Sequence, residues 1–473
     1  MKSLKTFLIW GIVVLVGVAS FTTLAISRGE QVSAVWMVTA AVSVYCIAYR
    51  FYSLYIAKYV MQLDPNRLTP AERHNDGLDY VPTHKGVLFG HHFAAIAGAG
   101  PLVGPVLAAQ MGYLPGTLWI IFGVVFAGAV QDMMVLFVSM RRDGKSLGDI
   151  VKQELGTVPG VIASIGILMI MVIIMAVLAL IVVKALVHSP WGTFTIAATM
   201  PIALFMGIYT RYIRPGKIGE ISIVGFILLM LAVIYGDNVA HSSIGHWFDL
   251  DGIQLTWAIM IYGFVASVLP VWLLLTPRDY LSTFLKIGTI VALAIGILIV
   301  SPALQMPAVT HFIDGSGPVF SGALFPFLFI TIACGAVSGF HALISSGTTP
   351  KMLENETHVR MIGYGGMIME SFVAIMALAA ASSLDPGVYF AMNSPAALIG
   401  TDANTAAEVI TTKLQFPVDA ATLLHTAKEV GENTILSRAG GAPTLAVGMA
   451  HIMSRLIPGE AMMAFWYHFA LLF

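Results

Sequence analysis

Long apolar stretches follow one another along almost the whole chain, and the polar residues are gathered in the short loops between them. Most of these stretches are about as long as a membrane-spanning helix, which needs about 20 apolar residues. The pattern therefore predicts an all-α, polytopic integral membrane protein with about 13 transmembrane segments. The predicted segments are 7–27, 33–57, 87–110, 117–140, 158–187, 194–211, 219–236, 254–276, 283–301, 325–346, 362–384, 441–457 and 461–473.

The first apolar stretch, from Phe7 to Ile26, follows Lys2 and Lys5. A cleaved signal peptide is the alternative, but the run is longer than the usual apolar region of a signal and no A-x-A site follows it. We therefore predict a first transmembrane helix. With the N-terminus in the cytoplasm, most of the 24 Lys and Arg residues, Arg455 among them, fall on the inner side. Basic residues favour cytoplasmic loops, so the distribution supports this orientation.

The amino-acid composition excludes several classes of protein. The 473 residues are 58% hydrophobic and 10% charged, whereas an average globular domain is about 25% charged. So few charges could not cover a soluble surface, which excludes a soluble enzyme, a disordered protein and a nucleic-acid binder. The net charge of −1 indicates no charged macromolecular partner. The expected partners are membrane lipid and a small-molecule substrate.

Glycine and proline interrupt the apolar segment 87–110. Gly98, Gly100 and Pro101 lie in its middle. Proline removes a backbone donor and clashes with the preceding turn, so a helix is expected to unwind here. Unwound backbone at membrane depth is tolerated where it lines a cavity or is buried in protein. The alternative is an unbroken helix that crosses a neighbour closely through its small residues.

The same spacing recurs in the second half of the chain. Residues 339–350 align without gaps on residues 90–101, with Gly, His, Gly and Pro at the same four offsets. In the helix that follows each segment, a glycine precedes an acid by four residues, as Gly128 precedes Asp132 and Gly366 precedes Glu370.

The two repeat units, 87–140 and 325–384, are predicted to cross the membrane in opposite directions. Paired interrupted helices in inverted halves are typical of secondary transporters, which bind substrate near the membrane midplane. An alternative second unit is 254–276, interrupted at Pro270.

Asp132 and Glu370 are the two clear acids inside predicted spans. A charge at the bilayer centre costs at least about 2.5 kcal/mol, so such residues face a cavity or a partner. Both are predicted to carry the coupling proton. The alternative is structural, with Asp132 or the neighbouring Gln131 joining adjacent helices by hydrogen bonds.

Polar and small residues next to the interruptions are predicted to bind the substrate, because freed N–H groups at the start of a half-helix suit a carboxylate. The alternatives are histidines bonded to freed carbonyls and hydroxyls bonded to their own helix. No HExxH motif or cysteine ligand set accompanies them, so no metal site is predicted. The candidates are His91, His92, Gly98, Gly100, Pro101, His341, Ser345, Ser346, Gly347 and Thr348.

Several long motifs resemble the carbon starvation protein A family, and the resemblance runs from about Arg28 to Phe473. It implies a bacterial inner-membrane permease associated with peptide uptake during carbon starvation, with close relatives that take up pyruvate with protons. It also implies a distant relation to the amino acid–polyamine–organocation transporters. Family members continue further, so we expect a C-terminal remainder to be missing here. The motifs are 76–83, 90–105, 128–132, 274–280, 338–350, 385–395 and 437–443.

We therefore expect one transmembrane transporter domain over 1–473, with a family core of about 33–400. The predicted function is import of short peptides or pyruvate by proton symport, with no enzymatic activity and no cofactor. The sequence does not decide between peptide and pyruvate as the substrate or between H⁺ and Na⁺ as the coupling ion, and it does not give the oligomeric state. The alternatives are a membrane sensor of carbon supply that signals through a partner, and an intramembrane enzyme using His91, His92 or Ser345.

Overall fold

The computed structural model describes residues 32–77, 79–214, 218–269, 273–459 and 461–472. The predicted first helix at 7–27 and the alternative interruption at Pro270 lie outside the described residues. Within the described residues the regular elements are helices, and the two isolated β-bridges join Ser33 to Ala303 and Thr83 to Leu353. The predicted all-α class is confirmed.

The principal helices are numbered here in chain order. They are α1 (Ala34–Val60), α2 (Lys85–Ile96), α3 (Gly100–Met111), α4 (Tyr113–Arg141), α5 (Leu147–Leu155), α6 (Thr157–Leu186), α7 (Pro190–Ile213), α8 (Ile218–Ala240), α9 (Gly252–Val268), α10 (Leu275–Val300), α11 (Gly339–Ser345), α12 (Glu356–Ser382), α13 (Pro386–Asn393), α14 (Ala403–Thr412), α15 (Ala420–Glu429), α16 (Ala442–Leu456) and α17 (Met462–Ala470).

Six helices in the described part of the chain are long and apolar enough to cross a membrane, namely α1, α4, α6, α7, α8 and α12. The pair α2 and α3, bent by 48°, makes a seventh if it forms one span. The predicted number of about 13 therefore stays a prediction. The apolar segment 325–346 folds as short helical pieces. The 15 residues of α16 extend only about 22 Å at 1.5 Å per residue, less than the bilayer core.

The placement of Arg455 differs from the sequence prediction. It lines a cavity together with Gln305 and Asp385, which follow α10 and α12 at their predicted outer ends. Arg455 therefore lies on the same side as these two residues and not, as the sequence predicted, on the opposite side. The reason is that α16 is short and buried against its neighbours, so its apolar run reflects burial in protein and not a membrane crossing.

Helix α12 forms the centre of the molecule. Its residues from Val373 to Ala381 are fully buried, and it packs against α1, α2, α3, α4 and α16. Helix α6 is the opposite case, because its Leu, Ile and Val side chains are mostly exposed all round the helix. A helix that is apolar on every side needs an apolar environment, so α6 is suited to contact with lipid.

The two helices that follow the interrupted segments, α4 and α12, lie antiparallel. Arg141 at the end of α4 pairs with Glu356 at the start of α12, and Gly116 near the start of α4 packs against Leu378 near the end of α12. Opposite directions are what an inverted repeat requires.

Two glycines at matching repeat positions allow each of these helices to approach the interrupted segment of the other unit. Gly128 on α4 lies against the backbone carbonyl of Ala336, and Gly366 on α12 lies against the His92 ring. A Cβ on Gly128 would overlap the Ala336 carbonyl oxygen, because there is no space between the two backbones.

We expect Gly128→Ala to lower the melting temperature of the detergent-solubilised protein, because overpacking a core costs about 1–3 kcal/mol. Gly166→Ala in α6 is the matched control, since a Cβ there meets no atom within 4 Å and alanine favours a helix by about 1 kcal/mol. Equal melting temperatures for Gly128→Ala and the wild type would contradict the close approach.

Candidate functional site

The first interruption lies where the sequence predicted it. Helix α2 ends at Ile96, α3 begins at Gly100, and residues 97–99 are non-helical. Gly98 lies in this interruption, which we call break 1. Pro101 lies in the first turn of α3, where its missing N–H breaks no helical hydrogen bond and its fixed φ suits a helix start.

The second interrupted segment departs from the prediction. Its non-helical residues, Val337 and Ser338, separate Ala333–Ala336 from α11. The turn at Ser346–Thr348, predicted as a midplane interruption, instead ends α11.

Hydrogen bonds hold that turn at the end of α4. Ser346 Oγ accepts from Leu147 N at 3.2 Å, and Gly347 N donates to Ser139 Oγ at 3.3 Å. Gly347 takes a φ of +86°, which favours glycine. The Gly-x-x-Pro spacing here therefore marks a tight turn that ends a helix, and the binding of substrate by Ser346, Gly347 and Thr348 stays a prediction.

Both predicted acids meet on one predicted histidine. Nδ1 of His341 forms a 2.8 Å hydrogen bond with Oδ2 of Asp132. Nε2 of His341 lies 2.7 Å from Oε2 of Glu370, an ion-pair contact without hydrogen-bond alignment. All three side chains are fully buried. We call Asp132, His341 and Glu370 the buried triad.

The formal charge of the buried triad suits a proton carrier. With His341 protonated and both carboxylates ionised, the net charge is −1, and one further proton makes the group neutral. Burial penalises uncompensated charge strongly. A group of this composition can take up or release one proton when its surroundings change, and Asp, Glu and His chains form proton relays in pumps and transporters.

Cys334 connects the triad to break 1. Its Sγ lies 3.6 Å from Glu370 Oε1 and 3.5 Å from Ser338 Oγ. On the other side it packs against Gly100, where a Cβ would lie only 2.5 Å from Sγ. Sequence analysis missed this contact, because a cysteine in an apolar run carries no signal of its partners.

Cys334, His341 and Glu370 also offer ligand atoms within 4.8 Å of one another, a separation that could hold a cation. However, a carboxylate already lies against each nitrogen of His341. That arrangement suits a protonated imidazole, and it equally suits an Nε2-bound ion, because a ligand histidine usually donates its other N–H to a carboxylate.

Lys286 of α10 reaches the other side of break 1. Its ammonium donates to Ala97 O at 2.6 Å and to Ala94 O at 3.3 Å. These carbonyls belong to the end of α2, where helical carbonyls lack partners and a positive charge is favourable. Sequence analysis did not single out Lys286 and missed this role. A lysine within the apolar run 283–301 was the available signal.

The remaining predicted residues lie around these groups. His92 is buried, and its Nδ1 lies 2.9 Å from Thr349 Oγ1, so its partner is a hydroxyl and not a freed carbonyl. His91, the preceding residue of α2, is half-buried. Ser345 is buried one turn after His341. Gln131 donates to Ser338 O at 2.7 Å and so provides the structural link between helices that was the alternative for Asp132.

A second buried charged pair lies outside the spans. Arg438 and Glu432 are 2.8 Å apart, and Ser189 Oγ donates to Glu432 at 2.7 Å. Burial raises the pKa of Glu432, while the guanidinium of Arg438 opposes that rise. The pair joins the loop before α16 to the start of α7.

The chain matches the family model described as carbon starvation protein CstA over residues 33–473. It is 65% identical to the peptide transporter CstA of Escherichia coli (strain K12) over 99% of this chain and 67% of that relative. It is 59% identical to the pyruvate/proton symporter BtsT of the same organism over 98% of this chain and 68% of that relative.

A more distant relative, the peptide transporter CstA of Bacillus subtilis (strain 168), is 45% identical over 93% of this chain and 71% of the relative. No solved structure matches this chain. The family model and the relatives together cover almost every described residue, including the buried triad and break 1. The chain therefore belongs to the carbon starvation protein CstA family.

Proposed function

We propose that this protein is a permease that imports short peptides or pyruvate by proton symport and serves nutrient uptake during carbon starvation. The relatives named as peptide transporters and as a pyruvate/proton symporter support the substrate class. The single observation that carries the proton coupling is His341 held between Asp132 and Glu370 in a fully buried site. The relatives do not favour a sensor.

The substrate carboxylate would bind at break 1. At the start of α3 the N–H groups of Leu102 and Val103 donate to Ala99 O and Pro101 has no N–H, so Gly100 N is the group left to attract an anion. Lys286 places a positive charge on the other side of the same interruption. Gly98 leaves open space here, since a Cβ would meet no atom within 4 Å.

Coupling would follow from contact between break 1 and the triad. Gly100 packs on Cys334, and Cys334 contacts Glu370. A substrate that moves the start of α3 would therefore shift Cys334 and change the surroundings of Glu370. Changed surroundings alter the free-energy cost of the negative charge on the triad. They therefore change how strongly the triad holds its extra proton.

A proton suits the triad better than a sodium ion as the coupling ion. Hard cations prefer carbonyl, carboxylate and water oxygens, whereas the centre of this site is an imidazole. The expected location is the bacterial inner membrane with the N-terminus in the cytoplasm, following the distribution of basic residues.

Purified protein in sealed liposomes tests the proposal. With an imposed inward proton gradient and no sodium, we expect labelled pyruvate or a labelled dipeptide to accumulate above its equilibrium level, and a protonophore to abolish the accumulation. Empty liposomes are the control. Accumulation that requires sodium and survives the protonophore would overturn proton coupling, and absence of uptake of either substrate would overturn the permease itself.

A further inference from the structure

A cavity of about 300 Å³ lies where α4 ends and α12 begins, at the predicted inner side of the molecule. Its polar lining consists of Arg67, Thr69, Arg73, Arg141 and Glu356. Three guanidinium groups face one carboxylate in the lining, and Asp143 outside the lining pairs with Arg73, so the formal charge of the group is +1. None of these residues belongs to break 1 or to the buried triad.

The single carboxylate of this cavity is already fully engaged. Glu356 has only 1% of its side chain exposed and pairs with Arg141 through both carboxylate oxygens. It also accepts from Asp64 N at 3.2 Å. Nε of Arg67 lies 3.6 Å from it, too far for a hydrogen bond. Glu356 therefore neutralises Arg141 and leaves much of the charge of Arg67 uncompensated.

The other two arginines remain accessible to a ligand. The side chains of Arg67 and Arg73 are 51% and 42% exposed. Arg73 uses Nη2 for a 2.7 Å contact with Asp143. A guanidinium carries five N–H donors, so one contact of this kind leaves further donors on the edge of the cavity.

Thr69 gives an independent indication of a ligand. It is 1% exposed, and its hydroxyl has no hydrogen-bond partner among the described residues. A buried hydroxyl without a partner is costly. A ligand oxygen placed between Thr69 and the two arginines would satisfy it.

We propose that this cavity binds a phosphate group, carried either by an anionic phospholipid headgroup or by a free phosphate ester. The arginine fork matches phosphate geometry, and basic pockets between helices on the cytoplasmic side are suited to lipid headgroups. Leu68, 61% exposed beside the cavity, would contact the apolar part of a lipid. The site is separate from the proposed transport chemistry.

A ligand in this cavity would affect the two helices that carry the acids of the buried triad. The Arg141–Glu356 pair joins the ends of α4 and α12, and these helices carry Asp132 and Glu370. A phosphate group beside that pair would add contacts to both helix ends. We therefore expect bound ligand to raise the melting temperature of the protein.

The test compares binding by the wild type with the double variant Arg67→Gln/Arg73→Gln. Binding of glycerol 3-phosphate to the detergent-solubilised protein is measured by calorimetry. Lipid binding is measured on protein in nanodiscs made with phosphatidylglycerol or with phosphatidylcholine, as the amount of each lipid that stays bound in native mass spectrometry. We expect the double variant to bind about tenfold more weakly or worse, because two charge-assisted contacts are lost. Arg50→Gln/Arg211→Gln, at two exposed arginines on α1 and α7, is the matched control and should bind as the wild type does.

Thr69→Val provides a second test that keeps every charge and nearly the same volume, and it should weaken binding several-fold. Binding of glycerol 3-phosphate identifies a free phosphate ester as sufficient, whereas selective retention of phosphatidylglycerol alone identifies the lipid headgroup. Failure of the wild type to bind either probe, or unchanged binding by the double variant and by Thr69→Val, would overturn the proposal. Since binding is measured without transport, this outcome is independent of the permease test.

Discussion

Asp132→Asn is expected to abolish proton-driven accumulation of substrate while leaving exchange of substrate across the membrane partly intact. The amide keeps the shape of the side chain and can still contact Nδ1 of His341, but it cannot take up or release the proton. It also removes one of the two carboxylates that stabilise a protonated His341. The lost charge-assisted hydrogen bond contributes about 1.5–3 kcal/mol to stability, whereas the loss of the titratable group is what is expected to abolish accumulation.

The measurement is uptake into liposomes with an imposed proton gradient, followed by counterflow in the absence of any gradient. Asp249→Asn is the matched control, because Asp249 makes an exposed contact with His188 and surface pairs of this kind contribute little. Accumulation at the wild-type level by Asp132→Asn would remove Asp132 from the coupling mechanism. Loss of counterflow together with accumulation would show a structural role instead.

The second large effect is expected at Lys286. Lys286→Met removes the ammonium from the buried contact with Ala97 O and from the partly buried contact with Ala94 O, so both carbonyls at the end of α2 lose a partner. A buried polar group left without its partner costs about 1–3 kcal/mol. We therefore expect a lower melting temperature, a maximal uptake rate reduced by about tenfold or more, and a raised KM for the substrate carboxylate.

Lys286→Arg separates the two contributions of this residue. Arginine can bond the same carbonyls and keeps the positive charge, so it should restore the melting temperature and part of the uptake. Lys184→Met, at an exposed lysine near the end of α6, is the control for loss of a lysine and should behave as the wild type does. An unchanged KM in Lys286→Met, with only the melting temperature lowered, would show that Lys286 stabilises break 1 without contributing to substrate binding.

The two repeat units perform different tasks despite their matched motifs. His92 and His341 occupy the same repeat position, but His341 binds two carboxylates whereas His92 contacts the hydroxyl of Thr349. The acids of both units are used by one histidine. Asp132 and Glu370, at matching positions of the two predicted repeat units, thus contact a single imidazole through its two nitrogens. We expect Asp132→Asn combined with Glu370→Gln to be little worse than either change alone.

The helical class, the first interruption and the central acids followed from the sequence alone. Apolar length predicts helices because a membrane satisfies no backbone hydrogen bonds. Gly98, Gly100 and Pro101 predicted break 1 because proline cannot continue a helix without losing a donor. Asp132 and Glu370 were recognisable because a charged group inside an apolar run must have a partner. These arguments depend only on local composition and spacing.

Only the tertiary structure decided which residues distant in sequence contact one another. The contact between Asp132 and His341 joins positions 209 residues apart, and that between Lys286 and Ala97 joins positions 189 apart. Neither spacing has a periodicity that a sequence could reveal. The turn at Ser346–Thr348 has the same Gly-x-x-Pro spacing as break 1 but lies at the end of α4. A local motif determines where a helix stops, whereas the packing of other helices determines whether that stop lies at a binding site.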